Sequence, residues 1–129
     1  MLFEVDALFL NDDRHLNNIA VIEQNGKYRY CPIFDNGAEL LSNTQFYPMD
    51  IDLKGLIKEI VARPFNTSFT RQINSARSLY GRQLKFPQLT RKDIVAELEP
   101  LLEYYPERDR GIITDRVAEC ILVRQKFNR

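Results

Sequence analysis

The sequence predicts a mainly α fold with one small β-hairpin near its front, and three local patterns carry that expectation. Leu53, Leu56, Ile57, Ile60 and Val61 recur at the spacing of one helical face. Thr90-Arg-Lys-Asp93 has the form of a capping box ahead of the apolar positions Ile94, Val95, Leu98, Leu101 and Leu102. Gln24-Asn25-Gly26-Lys27 lies between two runs rich in β-branched and aromatic residues and holds the Asn-Gly pair that tight hairpin turns favour.

Taken in order, Leu2, Val5, Leu8 and Phe9 share a helical face between Met1 and Leu10. The pattern stops at Asn11-Asp12-Asp13, whose short polar side chains compete with the backbone for hydrogen bonds. Ile19–Ile22 and Tyr28–Phe34 form the hairpin strands, with Pro32 at an edge or a strand end because it has no N–H to donate. Tyr28, Tyr30 and Phe34 are expected to pack within the hairpin. Residues 37–50 have no sustained period and read as a long irregular connection, a kind of segment that often carries function. The helix beginning near Leu53 has Asp50 or Asp52 as N-cap and Pro64 beyond its end. Phe69, Ile73, Ala76 and Tyr80 mark a further helix, entered through Asn66-Thr67-Ser68 and ended near Gly81. Pro100 should kink the helix of the capping box or begin a new one. A last helix falls between Pro106 and Lys126, with Ile113, Val117, Cys120, Ile121 and Val123 or Arg124 toward the core. Tyr104 and Tyr105 should be partly buried, and the scattered Arg and Lys of the C-terminal half should form solvated faces.

At 129 residues, 44% hydrophobic and 28% charged, the chain has the size and balance of one globular domain, 1–129, that needs no disulfide or metal staple. Within it, 1–37 holds a polar loop and the hairpin, and 38–129 is a helical subdomain. The 18 basic and 18 acidic residues cancel, which argues against direct nucleic-acid binding. No apolar stretch approaches the ~18 residues needed to span a bilayer. Met1–Leu10 carries Glu4 and Asp6 and lacks the basic lead and cleavage site of a signal. Cys31 and Cys120 are far apart without metal-ligand spacing, as expected of reduced thiols in a cytoplasmic protein.

The residues suited to chemistry gather at the front. Phosphoryl transfer needs a carboxylate to orient or deprotonate the attacking hydroxyl, and oxygen ligands to hold Mg2+ on the nucleotide phosphates. Asp13 and Asn18 stand five apart across a turn, and Asp35 opens Asp35-Asn36-Gly37 at the far end of the hairpin. Because a hairpin returns the chain to its starting point, it can set Asp35 beside the Asn18 loop. Catalytic Asp, metal-binding Asn, two short strands and Asp-x-Gly is the order found in protein kinases. An Asp with Asn at +5 carries little alone, since both abound in turns; the joint pattern carries the weight.

Asp-Arg-His-x-x-Asn-Ile is also the order of the lipid-kinase branch. Leu10-Asn-Asp-Asp-Arg-His-Leu-Asn-Asn-Ile19 and Pro32-Ile-Phe-Asp-Asn-Gly37 most resemble the C-terminal lobe of HipA-like serine/threonine kinases, members of the protein-kinase-like superfamily. Tyr47-Pro-Met-Asp50 and Arg63-Pro-Phe65 are compatible with that lobe, so the resemblance extends over nearly the whole chain, while its specificity lies in residues 1–37. It implies that Asp13 is the catalytic base or the group that orients the hydroxyl, that Asn18 and Asp35 are Mg2+ ligands, and that His15 braces the loop by hydrogen bonds near Asp35. Arg14 would pair with a carboxylate or with an activation-segment phosphate, and Asn11 and Asp12 would shape the loop.

Such a kinase also needs a Gly-rich phosphate loop and a strand Lys paired with a helix Glu, all ahead of the catalytic loop. Only ten residues precede Asn11, and the glycines at 26, 37, 55, 81 and 111 are isolated. The expectation is therefore an excised lobe, one half of a split kinase, or a remnant without chemistry, with weak or absent binding of ATP and Mg2+ by this chain alone. Two functions remain open: an ATP-dependent kinase lobe completed by an N-terminal lobe in cis or in trans, or a non-catalytic binding or regulatory module. A third, regulation beside a DNA-binding antitoxin-like partner, follows from the toxin–antitoxin setting of HipA-like kinases. The face that a second lobe would cover, near Leu2, Phe3 and Tyr28 or Tyr30, is expected to expose apolar side chains that bind that lobe or a second copy of the chain.

Overall fold

The structure, a computed structural model, describes residues 1–127, and the chain is mainly helical. Helix α1, Leu2–Phe9, leads through a polar loop and a 3-10 turn, Leu16–Asn18, into the antiparallel hairpin β1, Val21–Gln24, and β2, Lys27–Tyr30. Asn25 and Gly26 close it with φ of 54° and 72°, both in the left-handed region that a tight primed turn requires and that glycine reaches without steric cost. One further hydrogen bond, Cys31 N–H to Ala20 O at 2.9 Å, extends the ladder before Pro32.

The connection from 37 to 50 contains neither helix nor strand, as expected, and α2, Leu53–Glu59, starts at an Asp52 cap that accepts from the amides of Lys54 and Gly55. The expected continuation of α2 through Ile60 and Val61 does not occur. Pro64 has no N–H to give Ile60 O and its ring would collide with that carbonyl, so the chain leaves the helix at an extended Ile60. A second, two-residue hairpin follows that the sequence pattern did not disclose. Strand β3, Val61–Ala62, pairs with β4, Thr67–Ser68, around the 3-10 turn Arg63–Phe65. Two residues are too few to display strand alternation.

Helix α3, Phe69–Tyr80, is capped by Ser68 and ends at Gly81 with φ 68°. Helix α4, Arg91–Leu102, has the Thr90–Asp93 capping box with both reciprocal hydrogen bonds, and it runs past Pro100 for two residues. Helix α5, Glu107–Phe127, is the hub: it packs on α1, α2 and α4, while α1 also packs on α3. One core cluster joins Ala7, Leu10, Leu41, Ile57, Ile60, Ala62, Phe69, Ile73 and Cys120. A smaller one sets Ile94 against Ala118 and Ile121. Among the described residues no helix is long and apolar enough to cross a membrane. Cys31 and Cys120 are free thiols, and burial pushes that of Cys120 up to about 12.

Several side chains lie elsewhere than the sequence suggests. On α1 the buried set is Glu4, Asp6, Ala7 and Leu8, whereas Leu2, Val5 and Phe9 are half-buried. Glu4 is buried because it has partners: its carboxylate accepts from Arg77 at 2.7 Å and from the amides of Gln83 and Leu84 at 3.0 and 2.7 Å. Burial alone would raise its pKa; these donors outweigh it and hold the group below the ordinary carboxylate value. Arg116 is buried rather than solvated, because its guanidinium donates to backbone carbonyls of the distant 37–50 connection, and Arg124, one of the two positions expected toward the core, is buried with Nε on Ala7 O of α1. Tyr104, Tyr105 and Phe34 are exposed, and so are Tyr28 and Tyr30, on a hairpin whose strand residues are all exposed except the half-buried Ile22.

Candidate active site

Helix α1 ends in a left-handed Leu10, φ 56°, and Asn11 N–H returns to Asp6 O at 2.9 Å. That conformation costs a residue with a Cβ about 1–2 kcal/mol, and the complete burial of the Leu10 side chain offsets it. The sharp exit throws Asn11–Arg14 across the end of the helix.

Arg14 then becomes the centre of the loop. Its side chain is 0% exposed and each of its N–H groups has an acceptor. Nε donates to Asp6 Oδ1 and Oδ2 at 3.2 and 3.1 Å, and Nη2 to Asp6 Oδ1 at 3.0 Å. Nη2 also reaches Asn36 Oδ1 at 2.8 Å, while Nη1 reaches Phe34 O at 2.6 Å and Asn18 O at 3.4 Å. The guanidinium thus ties α1, the 3-10 turn and the segment after the hairpin to one plane.

Asn18 and Asp35 meet across that plane: Asn18 Nδ2 donates to Asp35 Oδ2 at 2.6 Å. Asn18 is buried and Asp35 is exposed, so the pair has a fixed inner member and an open outer one. The convergence expected for these two residues is present. Asp13 is directed elsewhere. Its half-exposed carboxylate is bridged by Arg63, in the turn of the second hairpin. Asp12 accepts from the Tyr47 hydroxyl, and burial, with Asp12 adding to it, pushes the Tyr47 pKa upward. Arg116 in turn holds the connection by donating to Leu41 O at 3.1 Å and Tyr47 O at 2.6 Å.

The bracing role expected of His15 belongs to Arg14. His15 Nδ1 is buried without a hydrogen-bond partner, whereas Arg14 donates to the Phe34 and Asn18 carbonyls. Of the two partners expected for Arg14, the carboxylate is the one present, in Asp6. Sequence reasoning missed Asp6, Tyr47, Arg63 and Glu39 as parts of this region, and named Asn36 only as the middle of Asp-x-Gly, without its bond to Arg14. In the sequence Asp6 served only as a charge arguing against a signal, and nothing local marks a carboxylate whose partner lies beyond the turn.

Among the described residues no three His, Cys, Asp or Glu side chains come together as a metal site. Asp35 and Asn18 supply one carboxylate and one amide carbonyl. That hard-oxygen set fits Mg2+, which is usually held by one or two carboxylates and completes its shell with water and phosphate oxygens. The Asn18 amide would turn over to offer Oδ1 in place of the N–H it now gives Asp35. Comparison with protein-family models, curated proteins and solved structures finds no match in any of the three.

Proposed function

We propose that this chain is the C-terminal catalytic lobe of a HipA-like, ATP-dependent serine/threonine kinase, inactive by itself and completed by an N-terminal lobe in cis or in trans. The observation that supports this reading is the 2.6 Å contact of Asn18 with Asp35, two residues 17 apart that the first hairpin returns to each other. In that reading Asn18 and Asp35 hold Mg2+, which when bound neutralises nucleotide phosphates. Asp13 orients the attacking hydroxyl and accepts its proton. The Arg63 bridge leaves Asp13 available, because both side chains are about half exposed and a surface pair of that kind contributes only ~0–1 kcal/mol.

The same bridge favours a second reading, a non-catalytic kinase-like module in which Asp13 has become a structural partner of Arg63. Kinetics separate the two. The chain alone should show no appreciable ATP-dependent phosphorylation, since the groups that position and neutralise the phosphates supply most of phosphoryl-transfer catalysis. Supplied with the nucleotide-binding lobe of a HipA-like kinase, it should phosphorylate a Ser/Thr substrate, and Asp13→Ala should abolish that activity. Equal turnover in wild type and Asp13→Ala would exclude the catalytic reading. Autophosphorylation by the purified chain alone, lost in Asp13→Ala, would overturn the requirement for a second lobe.

A further inference from the structure

Arg14 stands astride a residue in an unfavourable conformation. Asp35 has φ 56°, in the left-handed region that a Cβ disfavours, and Arg14 holds the residues on either side of it through Phe34 O and Asn36 Oδ1. Relaxation of Asp35 to negative φ would redirect its Cα–Cβ bond and carry the carboxylate off Asn18 Nδ2. The clamp, not the intrinsic preference of the residue, keeps the pair together.

Arg14 is in turn aimed by Asp6. Both side chains are 0% exposed, and a buried ion pair adds little net stability because desolvation of the two ions offsets their attraction. What the pair supplies is direction. With the Nε edge of the planar guanidinium committed to Asp6, the outward N–H groups of Nη1 and Nη2 can face only Phe34 O, Asn18 O and Asn36 Oδ1.

We infer that Asp6 is a positioning residue for the Asn18–Asp35 pair, acting through Arg14 to keep Asp35 in the backbone conformer that brings its carboxylate onto Asn18. The use of that pair for a divalent cation rests on the kinase reading above; the positioning does not. Substitution of Asp6 should therefore release Asp35 while leaving α3 and α4 in place, since neither helix contacts Asp6 through a hydrogen bond.

Nuclear magnetic resonance of the full chain tests this in wild type, Asp6→Asn and Asn36→Ala. The wild type should show one Asn18 side-chain amide proton shifted downfield and slow to exchange, with an Asp35 backbone coupling typical of positive φ. Asp6→Asn should lose both signals, with the resonances of α3 and α4 unchanged. Asn36→Ala cuts one arm of the clamp at an exposed residue, so it keeps the fold, moves the same signals in the same direction, and decides the matter if Asp6→Asn does not fold. Wild-type values retained in a folded Asp6→Asn, or in Asn36→Ala where Asp6→Asn fails to fold, would overturn the assignment. Titration with Mn2+ adds a separate readout: broadening at Asn18 and Asp35 should need about tenfold more metal in the folded variant, the scale at which outer-shell partners tune metal affinity. Absence of that broadening in wild type would refute the cation reading alone, because the coupling at Asp35 still reports the positioning.

Discussion

Glu39 is partly buried beside Asp6 and Arg14, with Oε1 enclosed and lacking a hydrogen-bond partner. Every N–H of Arg14 is already committed to Asp6, Phe34, Asn18 and Asn36, which leaves an ionised Glu39 only the Asn11 amide. Burial, reinforced by the charge of Asp6 and opposed by Arg14 and Asn11, pushes Glu39 up to about 7. In the unfolded chain the same group titrates near 4.5. Between these values the folded state keeps a proton that the unfolded state releases, so this group's contribution falls as pH rises from 4.5 to about 7 and is fully lost above that range. Glu39→Gln should be more stable than wild type in alkaline buffer and no more stable in acid, as read from thermal midpoints across pH. A constant difference at all pH values would refute the protonated carboxyl. The sequence gives no hint of this, because Gly37-Ala-Glu-Leu-Leu41 has no motif and the burial arises from contacts with Asp6, Asn11 and Arg14. By contrast, Asn18 and Asp35 were legible, since their meeting depends only on a turn and a hairpin that lie between them.

At the scale of elements, what could be read was what local chemistry decides. The Asn25-Gly26 turn, the Asp52 and Ser68 caps, the Gly81 stop and the Thr90–Asp93 box are each specified by residues within a few positions of one another. The packing face of α1 was not legible, because Glu4 and Asp6 owe their burial to Arg77, Gln83, Leu84 and Arg14. The same holds for Arg116 on α5, expected among solvated charges and drawn inward by tertiary contacts, whereas Arg124 was one of the two positions expected toward the core. Thr90 tests the local part. Its hydroxyl and backbone both exchange hydrogen bonds with Asp93 at an exposed site, so Thr90→Ala should cost about 1 kcal/mol in denaturant unfolding and leave the distant hairpin resonances unmoved. A loss below a few tenths would mean that α4 is held by α5 alone.

Across the whole molecule, the first hairpin is the most open element. Register pairs Val21 with Tyr30 and Glu23 with Tyr28, so Val21, Tyr28 and Tyr30 share one face, and all three are exposed. Leu2 and Phe3, expected beside them as uncovered residues, are half-buried, with Phe3 edge-on to Phe65 at 5.5 Å. An exposed aromatic face of this kind commonly marks an interface. The reading of the chain as one lobe of a kinase assigns it to the partner lobe or to a second copy. Tyr30→Ser should weaken association with that partner far more than Asp115→Lys on the distal helix. A clean monomer by light scattering at high concentration, together with no capture of a kinase N-terminal lobe, would remove this assignment.

The bonds from α5 to the front of the chain have a consequence for the order of events during synthesis. Arg124 Nε donates to Ala7 O at 2.8 Å across 117 residues, and Arg116 reaches Leu41 and Tyr47 across 75 and 69. A chain emerging from the ribosome therefore has Ala7 and the 41–47 connection outside long before these donors exist, and loop closure over such separations is slow. Asp6 and Arg14, eight residues apart, have each other from the start, whereas Ala7 O and the 41–47 connection lack their donors until α5 has emerged. Stalled chains ending before Arg116 should leave residues 41–48 open to protease, and synthesis through α5 should close them; equal protection in both would show that this connection is held without α5.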